Sequence, residues 1–468
     1  MAELAICEKT SSYKELFFPT TLLFRQNCSK SAIKWNIKLL IVMIIRFGCE
    51  NYRSIKEYQE ILFTTISNAS DHKHFSFSVE GIREQLLPIT AIYGANASGK
   101  TNMVRALRVL FNGICFGSNS SDRINIQQYR LEESCASKPS VFDIDFVCDS
   151  THYHYGFSIL EGVVEEEWLH KFSYVKRAAK TVLFERDSKK KDPYFFGKDL
   201  KGKNKVTSDI TDDTALFLSV AAKSKHELLS KISNYFVQNY SFIFKTGNPE
   251  HRIAQTILDR GLEKEISEYL AMVDVGSPNV SVSEEKFDEE RMNLQKSVQS
   301  FIKEKLPQRI VTDEIKEYDY KLDLTRVSED GNTVHFSFDD ESLGTKSYIS
   351  LLSSALLVFK NGGVLVVDEI EASLHPFLVK QIVELFCNTK VNVAKAQLIC
   401  TTHLVELLTA GVLPKSAVWL VGKDLTGASR VNPLTDYKIG NNSNLGRGYL
   451  KGRFGGIPHL QESLDLNN

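Results

Sequence analysis

The 468-residue sequence has no charge of one sign to spare: 57 Lys and Arg stand against 58 Asp and Glu, for a formal net charge of -1. A uniformly basic surface is thereby excluded, and any contact with a polyanion must come from a local patch. There is no C-x-x-C pair among the eight scattered cysteines. That argues against a disulfide scaffold or a zinc ribbon and for free thiols in a reducing, cytoplasmic setting. No apolar run approaches the ~20 residues of a membrane-spanning helix. The run Leu39-Leu-Ile-Val-Met-Ile-Ile45 is too short, and no small-residue cleavage site follows it. It reads as a buried strand that starts the fold. Internal repeats and long low-complexity tracts are also lacking, so a solenoid is not expected.

What is present is an ordinary globular pattern long enough for two or three structural units. Met43 and the sequence after it look like a natural chain start, so residues 1–42 are expected to be an upstream extension. Residues 43–66 read as one or two strands. Residues 89–93 form a short apolar strand before a glycine-rich loop, and from Thr101 the apolar residues recur at helical spacing. Residues 139–186 alternate as an antiparallel meander, with Asp149-Ser150 and Glu161-Gly162 as turns. From about 213 to 307 the pattern turns helical, with two helices near 250–272 and 283–305. Strands resume at 309–338. Helices are then expected at 345–360, 376–388 and 403–410, around strands at 363–367 and 396–401. Such alternation implies a parallel sheet.

Four motifs carry chemistry. Gly94-Ala-Asn-Ala-Ser-Gly-Lys-Thr101 fits G-x-x-x-x-G-K-[ST] between a strand and a helix. Gly94, Asn96, Ala97, Ser98, Gly99 and the helix start are expected to wrap phosphate oxygens with backbone N–H groups. Lys100 is expected to bridge the β- and γ-phosphates, and the Thr101 hydroxyl to ligate Mg²⁺. Val364-Leu-Val-Val-Asp-Glu369 is an apolar strand ending in two carboxylates, the Walker B arrangement. Asp368 would hold the Mg²⁺ shell and Glu369 would polarise the attacking water. His403, after the strand at 396–401, stands where a side chain can reach the γ-phosphate. Glu341-Ser-Leu-Gly-Thr345 precedes an apolar helix and reads either as an anion-binding helix end or as a simple N-cap.

In this order the motifs resemble the ABC-type ATPases of the SMC, RecF and OLD kind. The match of Asn96 and Asn102 to G-x-N-x-x-G-K-[ST]-N, and of Asn51-Tyr-Arg-Ser54 to N-[FY]-R-S, supports the likeness. Trp419-Leu-Val-Gly-Lys-Asp424 and Tyr449-Leu-Lys-Gly-Arg-Phe-Gly-Gly-Ile-Pro458 are similar to the tail of RloA-type and abortive-infection ATPases of phage defence. The likeness runs from about 43 to 459 and is weak between the two motif sets. It implies an α/β fold: an ABC-type P-loop head with a mixed parallel core sheet, an antiparallel β lobe and an inserted helical domain. The implied layout is an extension (1–42), a first lobe (43–212), a helical insertion (213–308), a second lobe (309–425) and a tail (426–468). It implies ATP and Mg²⁺ as ligands and ATP hydrolysis as activity. It further implies a homodimer or higher homo-oligomer whose heads sandwich ATP. Ser342, Gly344 and Thr345 would then form the signature that reaches the facing subunit's nucleotide. Arg53 would approach the nucleotide in its own chain. Gln127 and Gln128 are the candidates for the Q-loop glutamine, where the surroundings depart most from the family pattern. Ala372-Ser-Leu-His-Pro376, with Glu371 before it and His375 within it, resembles the loop that crosses the dimer interface.

OLD nucleases carry a further TOPRIM domain, for which the stretch after His403 is too short. The resemblance therefore implies a regulator of a separately encoded effector, possibly a TOPRIM or other nuclease, in an abortive-infection type of anti-phage defence. The alternative is a RecF- or SMC-like clamp in DNA repair or chromosome maintenance. A transporter subunit is disfavoured, because the signature is not L-S-G-G-Q and no membrane-coupling segment is visible. The lysines at 189–191, 198, 201, 203 and 205 read either as a solvated loop or as a DNA-backbone contact. His72 with His74, and His152 with His154, lack the neighbouring acids or cysteines that would make them metal pairs.

Overall fold

A computed structural model describes residues 42–65, 76–117, 126–173, 179–244, 249–273, 279–300 (without 291, 295, 298 and 299), 318–440 and 444–456. The chain divides into Met1–Lys38 and Leu39–Asn468, and all of the described residues belong to the second unit. The extension expected at 1–42 thus lies outside them, apart from Val42, the first residue of strand β1 (Val42–Glu50). Among the described residues no helix is long and apolar enough to cross a membrane.

β1 pairs antiparallel with β2 (Gln59–Leu62), and a pair of two-residue antiparallel strands follows, β3 (Phe77–Ser78) with β4 (Gln85–Leu86). β5 (Ile89–Gly94) is buried throughout and leads into helix α1 (Lys100–Phe116). The meander then runs through β6 (Ser140–Cys148), β7 (Thr151–Leu160), β8 (Val163–Ser173), β9 (Ala179–Asp187) and β10 (Tyr194–Phe196). Its first two turns are tight because both central residues adopt left-handed backbone: Asp149 (φ 49°) with Ser150 (58°), and Glu161 (52°) with Gly162 (82°). That handedness matches the twist of the paired strands. The strands assemble as β10-β9-β8-β7-β6-β1-β2.

Three helices follow, α2 (Asn204–Asp209), α3 (Phe217–Lys223) and α4 (Glu227–Asn239); α3 and α4 pack against this sheet, and α2 packs against α3. Then come β11 (Tyr240–Ile243), α5 (Glu250–Arg260), α6 (Glu263–Met272) and β12 (Asn279–Lys286), which pairs with β13 (Tyr318–Val327) and, through it, β14 (Thr333–Ser337). The last third holds α7 (Leu343–Asn361), β15 (Val364–Val367), α8 (Pro376–Cys387), β16 (Gln397–Thr402), α9 (Val405–Thr409), β17 (Val418–Lys423), β18 (Ser429–Pro433) and α10 (Leu445–Leu450).

The second large sheet has the order β11-β15-β16-β5-β17-β18, parallel except for the last strand. Its four central strands are buried on both faces. Ile92, Val364, Val366 and Ile399 join the core shared with the meander, α1, α3 and α4. Ala91, Tyr93, Leu365, Val367 and Leu398 join a second core with α5 to α8. The fold is therefore α/β, with a mixed, mainly parallel core sheet and an antiparallel lobe, as the motif order implied.

Three segments depart from expectation. The segment 250–272 is two helices, because Gly261 (φ 58°) ends α5 in left-handed backbone. Residues 279–286, which include the start of the helix expected at 283–305, are a strand instead. Their alternation is masked by serines and acids, and only Val280 is fully buried. The stretch 213–308 also gives up Tyr240–Ile243 to the core sheet, where it pairs in parallel with β15. His152 and His154 both lean on Asp145, at 2.9 and 3.3 Å.

The two large sheets are tied by Gln397, which is only 1% exposed. Its Oε1 accepts from Ile44 N at 2.7 Å, and its Nε2 donates to Ile44 O and Leu87 O, each at 3.1 Å. The β1–β6 register slips between Ile44 and Arg46, where the Gln397 amide bonds the Ile44 backbone. A Gln397→Leu change would leave these buried backbone groups without a partner. It is expected to destabilise the fold by about 2–4 kcal/mol. Urea unfolding at unchanged m-value checks this, and a loss below about 0.5 kcal/mol would contradict the tie.

Candidate functional site

The glycine-rich loop is shaped by crowding as much as by its own flexibility. Gly99 caps α1 at φ 113°, and a Cβ there would sit 2.1 Å from Ser429 Oγ. Ala97 takes left-handed backbone at φ 62°, and with Asn96 it forms the exposed rim. Ser98 is buried, and its hydroxyl has no partner among the described residues. The first turn of α1 carries no acidic residue. Nothing there opposes an anion at a helix end whose first N–H groups lack intrahelical acceptors.

A hydroxyl network fixes the loop from behind. Asn102 Nδ2 donates to Ser54 Oγ at 2.7 Å. Ser429 Oγ lies 2.8 Å from the same Ser54 oxygen and 2.7 Å from Ser98 O. Asn51-Tyr-Arg-Ser54 is itself a tight turn, with Asn51 and Arg53 at φ 49° and 53°. The Asn51 side chain bonds Cys135 O, Lys138 O and Tyr129 N. Arg53 N donates to Gln127 O at 2.8 Å, while Gln128 Nε2 donates to Lys138 O. Arg53, Gln127 and Gln128 thus line one groove of about 260 Å³, together with Asn102, Arg130 and Lys423.

At the head of the sheet, one oxygen is shared. Asp368 Oδ1 accepts from Thr101 Oγ1 at 3.1 Å and from Thr401 Oγ1 at 2.7 Å. Thr401 Oγ1 also receives Glu369 N at 2.7 Å, and Thr401 O receives Ile370 N at 3.0 Å. These bonds hold the chain where it leaves β15 through Glu369, whose φ of 55° is left-handed. Such a backbone costs a non-glycine residue roughly 1–3 kcal/mol and persists only where the surroundings enforce it.

Lys100 and His403 meet directly. Lys100 Nζ donates to Gly94 O at 2.8 Å and to Ala95 O at 3.1 Å, and it lies 3.0 Å from His403 Nε2. An ammonium has only donors, so Nε2 is the acceptor here and the ring proton sits on Nδ1. Burial lowers the Lys100 pKa, opposed by Glu371, Asp368 and Glu369. Burial, and then the Lys100 charge, lower that of His403. Glu371 anchors the histidine segment, its Oε1 accepting from His403 N at 2.6 Å.

The signature residues lie on a separate helix end. Ser342 caps α7, accepting from Thr345 N at 3.1 Å, and its hydroxyl is 2.9 Å from Thr345 Oγ1. Among the described residues none of their hydrogen bonds runs to the glycine-rich loop. The bidentate pair Arg326–Glu341, at 2.6 and 3.0 Å, steadies the approach. A Cβ on Gly344 would lie 3.1 Å from Ser373 O, so the loop at 372–375 rests on this first turn. His375 caps α8. Leu343 and Phe377, at the starts of α7 and α8, are 67% and 74% exposed.

Sequence reasoning had no means of finding Ser429, a serine in a short strand more than three hundred positions from the loop it braces. Thr401 closes the strand expected at 396–401, and its hydroxyl proves to be the pivot between Asp368 and Glu369.

The His403 environment gives a direct check. Its imidazole should titrate by NMR with a midpoint below the ordinary value of about 6.5, since burial and Lys100 both oppose its charged form. Lys100→Met should raise the midpoint by removing one of the two causes. A wild-type midpoint at or above 6.5 would contradict the geometry.

Residues 89–409 match the family described as "AAA domain, putative AbiEii toxin, Type IV TA system". Among solved structures, the SMC head domain from Thermotoga maritima is similar at 12% identity and a TM-score of 0.36, covering 85% of this chain and 99% of that one. An SMC head bound to the C-winged helix domain of ScpA is similar at 16% identity and a TM-score of 0.37, covering 83% and 96%. No curated protein matches the chain. The matched segment runs from the strand before the glycine-rich loop through the helix after His403, and the chain belongs to this AAA-domain family.

Proposed function

We propose that the chain binds ATP with Mg²⁺ and hydrolyses it in a site completed by a second copy. The observation that carries this reading is the shared Asp368 oxygen, which brings the Thr101 hydroxyl of the glycine-rich loop to the acidic end of β15. One hydroxyl and one carboxylate are hard donors that suit Mg²⁺, an ion that takes its remaining ligands from phosphates and water. Bound there, Mg²⁺ would neutralise charge on the β- and γ-phosphates.

The roles of the chain's own residues follow from chemistry. Lys100 now donates to two loop carbonyls and leans on His403; a γ-phosphate would replace these weaker acceptors. His403 Nε2 could then donate to the phosphate only by gaining a proton there, through tautomer exchange or protonation. Glu369, held by Thr401, would orient and polarise the attacking water. Gly94, Asn96, Ala97, Ser98 and Gly99 would cradle the phosphates, and Arg53 with Gln127 or Gln128 would line the approach from the groove. Ser342, Gly344 and Thr345, whose bonds are satisfied on α7, would act on the nucleotide of the facing copy across an isologous two-fold interface.

On the biological side, we read the chain as the ATPase of an anti-phage, abortive-infection type of system, controlling a separate effector such as a nuclease. The description of the family, with its toxin and toxin–antitoxin terms, supports that reading. Three of the seven lysines in the run have an acidic neighbour, Lys189 with Glu165, Lys190 with Asp187 and Lys205 with Asp209, at 3.0–3.2 Å. Such exposed pairs are weak and fit a solvated face.

Glu369→Gln should lower steady-state ATP hydrolysis by about 10²–10⁴-fold, the range for loss of a positioned base, while nucleotide binding survives. Lys100→Ala should abolish binding. Hydrolysis at the wild-type rate by the Glu369 variant would overturn the assigned role.

A further inference from the structure

The tail that the nucleotide motifs leave unused folds back onto the glycine-rich loop. A Cβ built on Gly456 would lie 3.5 Å from Gly94 Cα, at the point where β5 ends and the loop begins. Gly456 adopts left-handed backbone at φ 72°, as do Gly452 and Gly455 at 70°, a conformation open to glycine with little strain. The segment is anchored at its middle. Phe454 is buried against Tyr437, and its ring fills the space where a Gly448 side chain would be. Gly446 on α10 lets that helix approach Val405 and Thr409 of α9, the helix after His403.

Tyr449 joins these contacts. Its hydroxyl donates to Gly456 O at 3.1 Å. Its ring meets Tyr93 edge-on, with centroids 5.6 Å apart. Tyr93 immediately precedes Gly94, and its own hydroxyl donates to Leu404 O at 2.9 Å, one residue beyond His403. A continuous path thus runs from Gly456 through Tyr449 and Tyr93 to the His403 segment, and it touches the glycine-rich loop at Gly94.

We propose that Tyr449 is a positioning residue of the nucleotide site, fixing the His403 segment relative to the phosphate loop. The inference rests on the ATPase reading above. When this path is cut the phosphate loop keeps its bracing by Asn102, Ser54 and Ser429, so its own affinity changes little. His403 acts at the γ-phosphate, where a misplacement near 1 Å can cost about 10²-fold in rate. Loss of Tyr449 contacts should therefore appear in kcat and not in KM.

The test is steady-state hydrolysis with Tyr449→Phe, which keeps the buried ring and removes only the hydroxyl, alongside Tyr93→Phe and the double variant. Affinity is measured separately with a fluorescent ATP analogue. We expect kcat to fall about 5–10-fold in each single variant, with KM and analogue affinity within about twofold. We expect the double variant to lose no more than the worse single one, because both changes cut one path. An active wild type with unchanged kcat in Tyr449→Phe overturns the inference alone, as does a rise in KM at constant kcat or a double variant whose losses multiply. A wild type that binds ATP without hydrolysing it overturns the ATPase reading, and the inference with it.

Discussion

Asp368 Oδ1 accepts two hydroxyls, one from the helix after the glycine-rich loop and one from the strand beside its own, and the geometry of the site depends on that shared oxygen. Thr101 comes from α1 and Thr401 from β16, so the carboxylate fixes the loop–helix unit against the sheet end. Thr401 then uses the same hydroxyl to hold Glu369 N, which keeps Glu369 in a backbone conformation it would otherwise leave. The strand carrying Thr401 is itself held at its other end, where Gln397 bonds the backbone of Ile44 and Leu87. β16 is thus fastened to the antiparallel lobe at its start and to the acidic turn at its finish.

The glycine-rich loop has a similar two-sided support. On one side Ser429 and Ser54 fill the volume that makes Gly99 obligatory. On the other, Gly456 and Val421 O close on Gly94, where the loop leaves β5. In between, Lys100 is occupied with loop carbonyls and with His403. The loop is held in shape by residues distant in sequence, and its lysine is engaged with groups that an anion would outcompete. This fits a preorganised phosphate cradle, in which little reorganisation accompanies binding.

Much of the fold was legible because the core strands are continuous apolar runs bounded by glycine or by acids. Ile89–Gly94 and Val364–Val367 are buried on both faces, and such strands declare themselves by composition. The meander was legible through alternation and its two turns. Tyr240–Ile243 was not, because four residues continuing directly from a helix carry no boundary signal of their own. Asn279–Lys286 failed for the opposite reason: an edge strand with one fully buried residue reads as a charged helix face. At the candidate site, the loop, the acidic strand end and His403 stood out because their residue types are tied to local spacing. Ser54, Ser429 and Gln397 act through contacts that only the fold creates, and Tyr449 sat in a recognisable tail without any indication of what it touches.

The central claim is that this site is finished by a second copy, with Ser342 and Gly344 of one chain facing the nucleotide of the other. The most direct measurement is the solution mass of the Glu369→Gln chain in ATP and Mg²⁺, compared with the same chain in ADP. The account predicts a dimer, or a multiple of one, in ATP that loosens in ADP and is lost on changing Ser342 to a bulky residue. A mass that does not depend on which nucleotide is bound, and that the Ser342 change leaves untouched, would contradict it.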